Sequence, residues 1–224
     1  MAGKHKSTAK QLLIVDDHPM MRTGLGQLID NEPDLVVAAE ADNARQAQEA
    51  VIKQEFDLIL LDISLPDKNG LELIKDLKAL KPDLAILVVS MHDESLYAER
   101  VLRAGARGYI MKQEGGKKFL QAIRRVLEGG IYVSEKMSSH ILEIFSGHQT
   151  GPSPSPVARL SDREFEVFQL IARGSDTAAI ARQLHVSVKT VEAHRVHIKE
   201  KLQVKTANEL VRYAVRWIET EGKS

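Results

Sequence analysis

The chain has 224 residues, enough for one or two domains with real cores, and carries 31 Lys/Arg against 31 Asp/Glu. It contains no cysteine, which excludes disulfides and cysteine-ligated metals and suits a reducing compartment such as the cytoplasm. The basic start MAGKHKSTAK lacks an apolar stretch, and no apolar run approaches the length of a membrane span, so neither secretion nor membrane insertion is expected.

The elements of the first half alternate. Apolar runs predict strands near 11–15, 35–40, 56–61, 84–89 and 108–111. Amphipathic patterns predict helices near 19–30, 43–53, 71–80, 94–104 and 116–128. Continuous apolar runs such as FDLILL and LAILVV suit strands buried on both faces, as in a parallel sheet. Five βα units with right-handed crossovers give an α/β flavodoxin-like (βα)5 domain over 10–130, strand order 2-1-3-4-5.

Polar residues terminate four of these runs. Asp16 and Asp17 follow LLIV, Asp62 follows FDLILL, Ser90 ends LAILVV and Lys112 follows GYIM. In an open parallel sheet, ligands bind outside the carboxyl ends of the strands, so these groups converge on one site. Three carboxylates, a hydroxyl and an ammonium suit Mg²⁺ together with a phosphoryl group. Mg²⁺ accepts few protein ligands and keeps the rest as water or phosphoryl oxygens. A carboxylate can itself attack phosphorus, and an ammonium offsets charge on the transferring oxygens. Taken singly, each residue reads as an ordinary cap or turn, and Asp17 has an alternative use as the cap of a helix opening at Pro19. Their joint order and spacing carry the functional reading.

A short apolar piece, IYV at 131–133, precedes SEKMSSHILEIF at 134–145, an expected amphipathic helix capped by Ser134. The segment GHQTGPSPSP at 147–156 reads as a semi-extended linker, so residues 131–156 form a connection. Residues 1–150 carry 19 Lys/Arg against 22 Asp/Glu, whereas 151–224 carry 12 against 9, a weak hint that the C-terminal part meets an anion.

Residues 157–224 are expected to be all-helical. Ser161 and Glu164 form a capping box for a helix over 162–173, which Gly174 ends. Asp176 caps a short helix through Leu184, Ser187 a third through about Lys201, and a fourth runs from about Ala207 to Ile218. Short helix, tight turn, longer helix is the helix-turn-helix arrangement, whose second helix enters the DNA major groove. On that helix Val191, Ile198 and Leu202 share a core face with Arg195 beside them, while Lys189, Ala193, Val196 and Glu200 point away, flanked by Thr190, Glu192 and His197. Ala193 is small enough for close backbone approach, Val196 suits a thymine methyl, and Glu192 can accept from cytosine N4. Lys189, Thr190, Arg195 and Lys199 suit phosphates. In ELVRYAVRWIE the expected core face is Leu210, Val211, Ala214, Val215 and Ile218. Tyr213 and Trp217 are then an exposed aromatic pair and a candidate dimerisation surface.

These residues carry a resemblance. The strand-end set and the tight loop DISLPDKNG, with Pro66 and Gly70 four and eight residues after Asp62, resemble the receiver domain of two-component response regulators. The stretch from LSDREFEVFQLIARG to HIKEKLQV resembles the LuxR/GerE-type output domain. The chain therefore resembles the NarL/FixJ family over nearly its full length. The resemblance implies a transcription regulator rather than an enzyme, with Asp62 accepting phosphate from a sensor histidine kinase. It implies Mg²⁺ at Asp16, Asp17 and Asp62, phosphoryl contacts from Ser90 and Lys112, and Tyr109 as the aromatic switch. Glu192, Ala193 and Val196 fall on the family's base-reading positions, and the last helix on its dimerisation element on double-stranded DNA. RNA polymerase is a further implied partner. Two departures bear on target sequence and affinity: Ala178 stands where the family often has a basic residue, and Glu192 places an acid among phosphates. A metal-dependent phosphatase is the competing class, but it needs an acid/base two residues after Asp62, where this chain has Ser64.

Overall fold

The computed structural model describes residues 9–139, 156–184 and 186–221. The chain divides into two compact units, Met1–Ser134 and Glu135–Ser224.

The first unit is a five-stranded parallel sheet in the order β2-β1-β3-β4-β5, as its alternating pattern predicts. The elements in chain order are β1 (Lys10–Val15), α1 (Pro19–Asp30), β2 (Leu35–Ala41), α2 (Ala44–Lys53) and β3 (Leu58–Leu61). They continue with α3 (Gly70–Leu80), β4 (Ala85–Ser90), α4 (Glu94–Arg103), β5 (Gly108–Met111) and α5 (Gly116–Leu127). The period-2 geometry of a strand sends alternate residues to opposite faces. Leu12, Ile14, Leu58, Leu60, Leu87 and Val89 pack on one side with Leu25 and Ile29 of α1 and Phe119 and Ile123 of α5. The intervening Leu13, Val15, Ile59, Leu61, Ile86 and Val88 are equally buried. Both faces are covered, which is why the strands read as unbroken apolar runs.

Two local expectations are corrected. β3 begins at Leu58 rather than 56, and Asp57 just before it ties to β1 through its amide to the Gln11 carbonyl and its carboxylate to the Lys10 ammonium and Gln11 amide. The residue flanking α1 is His18, with no side-chain cap and Pro19 in the first turn, so Asp17 does not cap that helix. The piece 131–133 adds a single parallel bridge, Gly108 to Tyr132, on the outer edge of β5. Residues 135–139 are helical, as expected of 134–145, but residues 140–145 and 147–155 of the expected helix and linker lie outside the described residues.

The second unit is helical: a short 3-10 turn (Pro156–Arg159), α6 (Asp162–Ala172), α7 (Thr177–Gln183), α8 (Val188–Leu202) and α9 (Ala207–Glu221). The predicted caps are present. Ser161 and Glu164 form a reciprocal capping box, Asp176 accepts from the Ala179 amide, and Ser187 accepts from the Thr190 amide. Gly174 follows α6 with φ +82°, a left-handed conformation that glycine enters without strain. α6 packs on both α8 and α9, and α7 packs on α8.

The last helix is rotated from its expected orientation. Its buried stripe is Leu210, Ala214 and Trp217, spaced i, i+4 and i+7. Trp217 is only 9 % exposed and makes edge contacts with Phe165 and Phe168 at 5.7 and 5.5 Å between ring centroids. Tyr213 is half-buried, 6.2 Å from Phe168. Val211 and Val215, expected in the core, are instead 37 % and 36 % exposed. The two aromatic rings fill the hollow over Phe165 and Phe168 better than two valines, so burial of the larger area turned the helix.

Candidate functional sites

The strand register brings the polar ends together. Val15 pairs with Leu61 and Leu61 with Val88, whereas Ser90 pairs with Met111, so β4 and β5 run two residues past the level at which β1 and β3 end. The ladder runs one residue beyond them: the Asp16 amide donates to the Ala41 carbonyl, Asp62 to Val15, and Lys112 to Ser90. Side chains one residue past each strand therefore meet in the crevice. Lys112 Nζ lies 2.6 Å from an oxygen of Asp16 and 2.6 Å from one of Asp62. All three side chains are almost wholly buried.

Burial pushes the Asp62 carboxyl up, and nearby Asp16 adds to this while Lys112 opposes it; the net direction is upward. Burial would lower Lys112, but Asp62 and Asp16 outweigh it and hold the ammonium charged. Asp17, on the rim, pairs with the His18 ring at 2.7 Å. Ligand atoms of Asp16, Asp17, His18 and Asp62 all lie within 4.8 Å of one another. Opposite ligands of an octahedral ion stand about 4.2 Å apart at ~2.1 Å each, so the set is of a size to close on one cation.

The loop from Asp62 to α3 is tight. The Gly70 amide donates to the Ile63 carbonyl, and a Cβ at Gly70 would lie 2.5 Å from Ile63 Cα, so no larger residue fits this closure. Asp67 accepts from the Ala44 and Arg45 amides at the start of α2, which ties the loop to the next helix. Ser90 is fully buried, and its hydroxyl accepts from the His92 amide at 3.2 Å. Tyr109 is also fully buried, donating to the His92 carbonyl at 2.7 Å, and burial holds its hydroxyl far above the usual tyrosine range.

Three residues that the sequence did not assign to the site belong to this neighbourhood. His18 directly follows the acidic pair. Ser64 stands two residues after Asp62, and its amide donates to Asp62 Oδ1 at 3.1 Å. His92 stands two residues after Ser90, with its ring 3.1 Å from the Ser64 hydroxyl and stacked on Tyr97. Their offsets from the strand ends were the available signal.

On α8, Val191, Ile198 and Leu202 are buried, as their spacing predicts. Lys189, Thr190, Glu192, Ala193 and His197 are exposed, Val196 is 46 % exposed, and Arg195 and Lys199 are half-buried. Val196, like Val188 at the start of the same helix, is an exposed valine among Lys, Arg, His and Glu side chains. On the same helix, Lys201 bonds the buried Glu164 of α6 at 2.6 Å, bracing α8 against the scaffold. Ala178 is exposed on α7, so it leaves that position uncharged.

Residues 12–124 match the response regulator receiver domain, and residues 158–214 match the luxR family of bacterial regulatory proteins. The oxygen regulatory protein NreC of Staphylococcus carnosus is 36 % identical over 210 residues, covering 92 % of this chain and 97 % of that protein. NreC of Staphylococcus aureus is 38 % identical with the same coverage. This chain belongs to the response regulator family. The response regulator is also similar in structure to RcsB of Salmonella typhimurium, at 25 % identity and TM-score 0.68, over 93 % of this chain and 98 % of that one. RcsB of Salmonella enterica bound to promoter rprA with a phosphomimetic matches at 26 % identity and TM-score 0.64, over 93 % and 99 %. The response regulator thus joins a receiver to a luxR-type DNA-binding domain, the composition of a transcription regulator, and none of its described helices is long and apolar enough to cross a membrane.

Proposed function

We propose that this response regulator takes a phosphoryl group on Asp62 from a sensor histidine kinase and that the modification controls dimeric binding to specific DNA. The observation that carries this is the buried Asp62 carboxylate held 2.6 Å from the Lys112 ammonium within a cluster of three acids. An oxygen of Asp62 attacks phosphorus as the bond to the donor's leaving group breaks, giving an acyl phosphate. Lys112 is placed to follow the transferring oxygens once the carboxylate no longer carries its charge. Asp16, Asp17 and Asp62 are the residues that would hold Mg²⁺, which when bound supplies positive charge beside the phosphoryl oxygens. Ser90 then donates to one of those oxygens, with Tyr109 as the buried switch residue behind it.

On DNA, α8 lies in the major groove. Ala193, Val196 and Glu192 face base edges, and Lys189, Thr190, Arg195, His197 and Lys199 meet phosphates or the groove wall. The structures of RcsB with promoter DNA, and of two RcsB dimers on two DNAs, support a dimer on DNA for a chain of this composition. Val211 and Val215, one turn apart on the exposed side of α9, are the apolar contact proposed here in place of Tyr213 and Trp217.

The test is incubation with acetyl phosphate, followed by intact-mass measurement and selection of bound DNA from random sequence. Asp62 gains one phosphoryl group with Mg²⁺ and none with EDTA, and the selected DNA is enriched only after labelling. Equal labelling of Asp62→Asn would overturn the assignment.

A further inference from the structure

The chain leaves the first unit along the outer edge of β5. The Tyr132 amide donates to the Arg107 carbonyl at 3.0 Å, and its carbonyl accepts from the Tyr109 amide at 2.9 Å. Gly108 makes this approach possible, since a Cβ there would lie 2.7 Å from the Tyr132 carbonyl oxygen. Two residues later, the Ser134 amide donates to Glu94 Oε1 at 2.8 Å. Glu94 is the first residue of α4. Residues 131–134 are thus held at two places: on the backbone of a sheet strand, and on a carboxylate at the start of a helix.

Those two places differ in how they connect to Asp62. The β5 anchor belongs to the sheet, where β5 is paired along its length with β4 and so moves little. The Glu94 anchor sits beyond the β4–α4 loop, and that loop is linked to the Asp62 site by side chains. Ser64 donates its amide to Asp62 and meets the His92 ring, the His92 amide donates to Ser90, and Tyr109 donates to the His92 carbonyl. Asp93, the next residue, caps α4. A charge change at Asp62 therefore acts on the loop that carries Glu94 while leaving the β5 backbone in place.

Resting on the phosphorylation reading above, we propose that residues 131–134 are a strap that passes the state of the Asp62 site to the chain leaving this unit. The backbone of Gly108 and Tyr109 is its fixed anchor and Glu94 its moving one. Glu94 is a positioning residue: it touches the Ser134 amide, not the acidic site. When the first turn of α4 shifts with the loop, the Glu94–Ser134 bond strains or releases, and the helix that starts at Glu135 is re-aimed. A charge-assisted bond suits this role, because it is directional yet exchangeable with water at an exposed position.

The test uses the full chain, with acetyl phosphate and Mg²⁺ as phosphodonor, residue-resolved amide exchange, and binding to the DNA selected above. In the wild type, labelling changes the Ser134 amide exchange rate by roughly fivefold or more, while the Tyr109 amide stays protected. In Glu94→Ala, Asp62 is labelled as before and the Ser134 amide exchanges fast in both states. The gain in DNA affinity on labelling then falls roughly five- to tenfold, the scale of one coupling contact. Glu94→Gln keeps the acceptor oxygen and retains most of the gain. A labelled Glu94→Ala protein with the wild-type gain would overturn the strap alone. A wild type that takes no label would overturn the phosphorylation reading beneath it.

Discussion

Lys112 sits between two buried carboxylates, so its removal leaves Asp16 and Asp62 facing each other without compensation. Stripping one partner from a buried ionic set is destabilising even where the intact set contributes little. Lys112→Met should therefore lower stability by about 3–5 kcal/mol in EDTA, and Mg²⁺ should restore much of the loss by neutralising the same acids. Thermal melts with and without Mg²⁺ check this, and equal melts in both conditions would contradict it. On α8, Val196 presents only apolar surface and Lys199 a point charge. Val196→Ala should relax preference at one or two base pairs by at most ~1–3 kcal/mol each. Lys199→Ala should weaken all sequences alike and lower the salt slope by about one unit. Selected-site sequencing and salt titration separate the two. Most residues of both candidate sites were placed by offsets at strand ends and by helix faces, where the structure also puts them. The roles of Ser64 and His92 were not legible in the sequence, because two residues past a strand end the chain is in a loop whose path only packing decides.

At the scale of elements, α9 shows that helical spacing finds an amphipathic helix but not always which side faces in. Two stripes compete, one ending in valines and one in a tryptophan, and the Phe165–Phe168 pair selects the aromatic stripe. Trp217→Ala should consequently cost about 3–5 kcal/mol, as loss of a buried aromatic side chain does. It should unfold residues 157–221 early instead of leaving a folded monomer, and circular dichroism melts report this. α6 offers a pH test. Burial works against the charged form of Glu164, but bonds from Lys201 and Ser161 outweigh it and hold the carboxyl below its ordinary value of 4.5. A depressed folded value means stability that is present above 4.5 and lost as pH falls through the folded value. The gap in melting temperature between wild type and Glu164→Gln should thus be widest near neutrality and close as pH falls through the folded value, below 4.5.

For the whole molecule, the proposed function pairs two copies on DNA, because one recognition helix contacts too few base pairs for strong specific binding. Phosphorylated protein should bind an inverted repeat with half-sites roughly 10 base pairs apart far more tightly than one half-site. Val211→Ser with Val215→Ser should reduce that cooperativity while leaving the fold intact, because both side chains are already over a third exposed. Titration of one-site and two-site DNA decides it. Cooperativity equal to wild type would place the interface elsewhere.

Local patterns in the chain were sufficient for the alternating βα order, the parallel sheet, the helix caps and the convergence of Asp16, Asp62 and Lys112. Each of these follows from periodicity or from a strand's end, which are properties of neighbouring residues. Tertiary structure alone decided which face of α9 is buried, that His18 and not Asp17 flanks α1, and that Lys112 bridges two acids. It alone laid Tyr132 along β5 and brought Ser134 to Glu94. The contacts made by Lys112, Tyr132, Ser134 and Trp217 join residues 23 to 96 positions apart in the chain. No local pattern encodes such pairs, because the fit of one surface against another is settled only when both are in place.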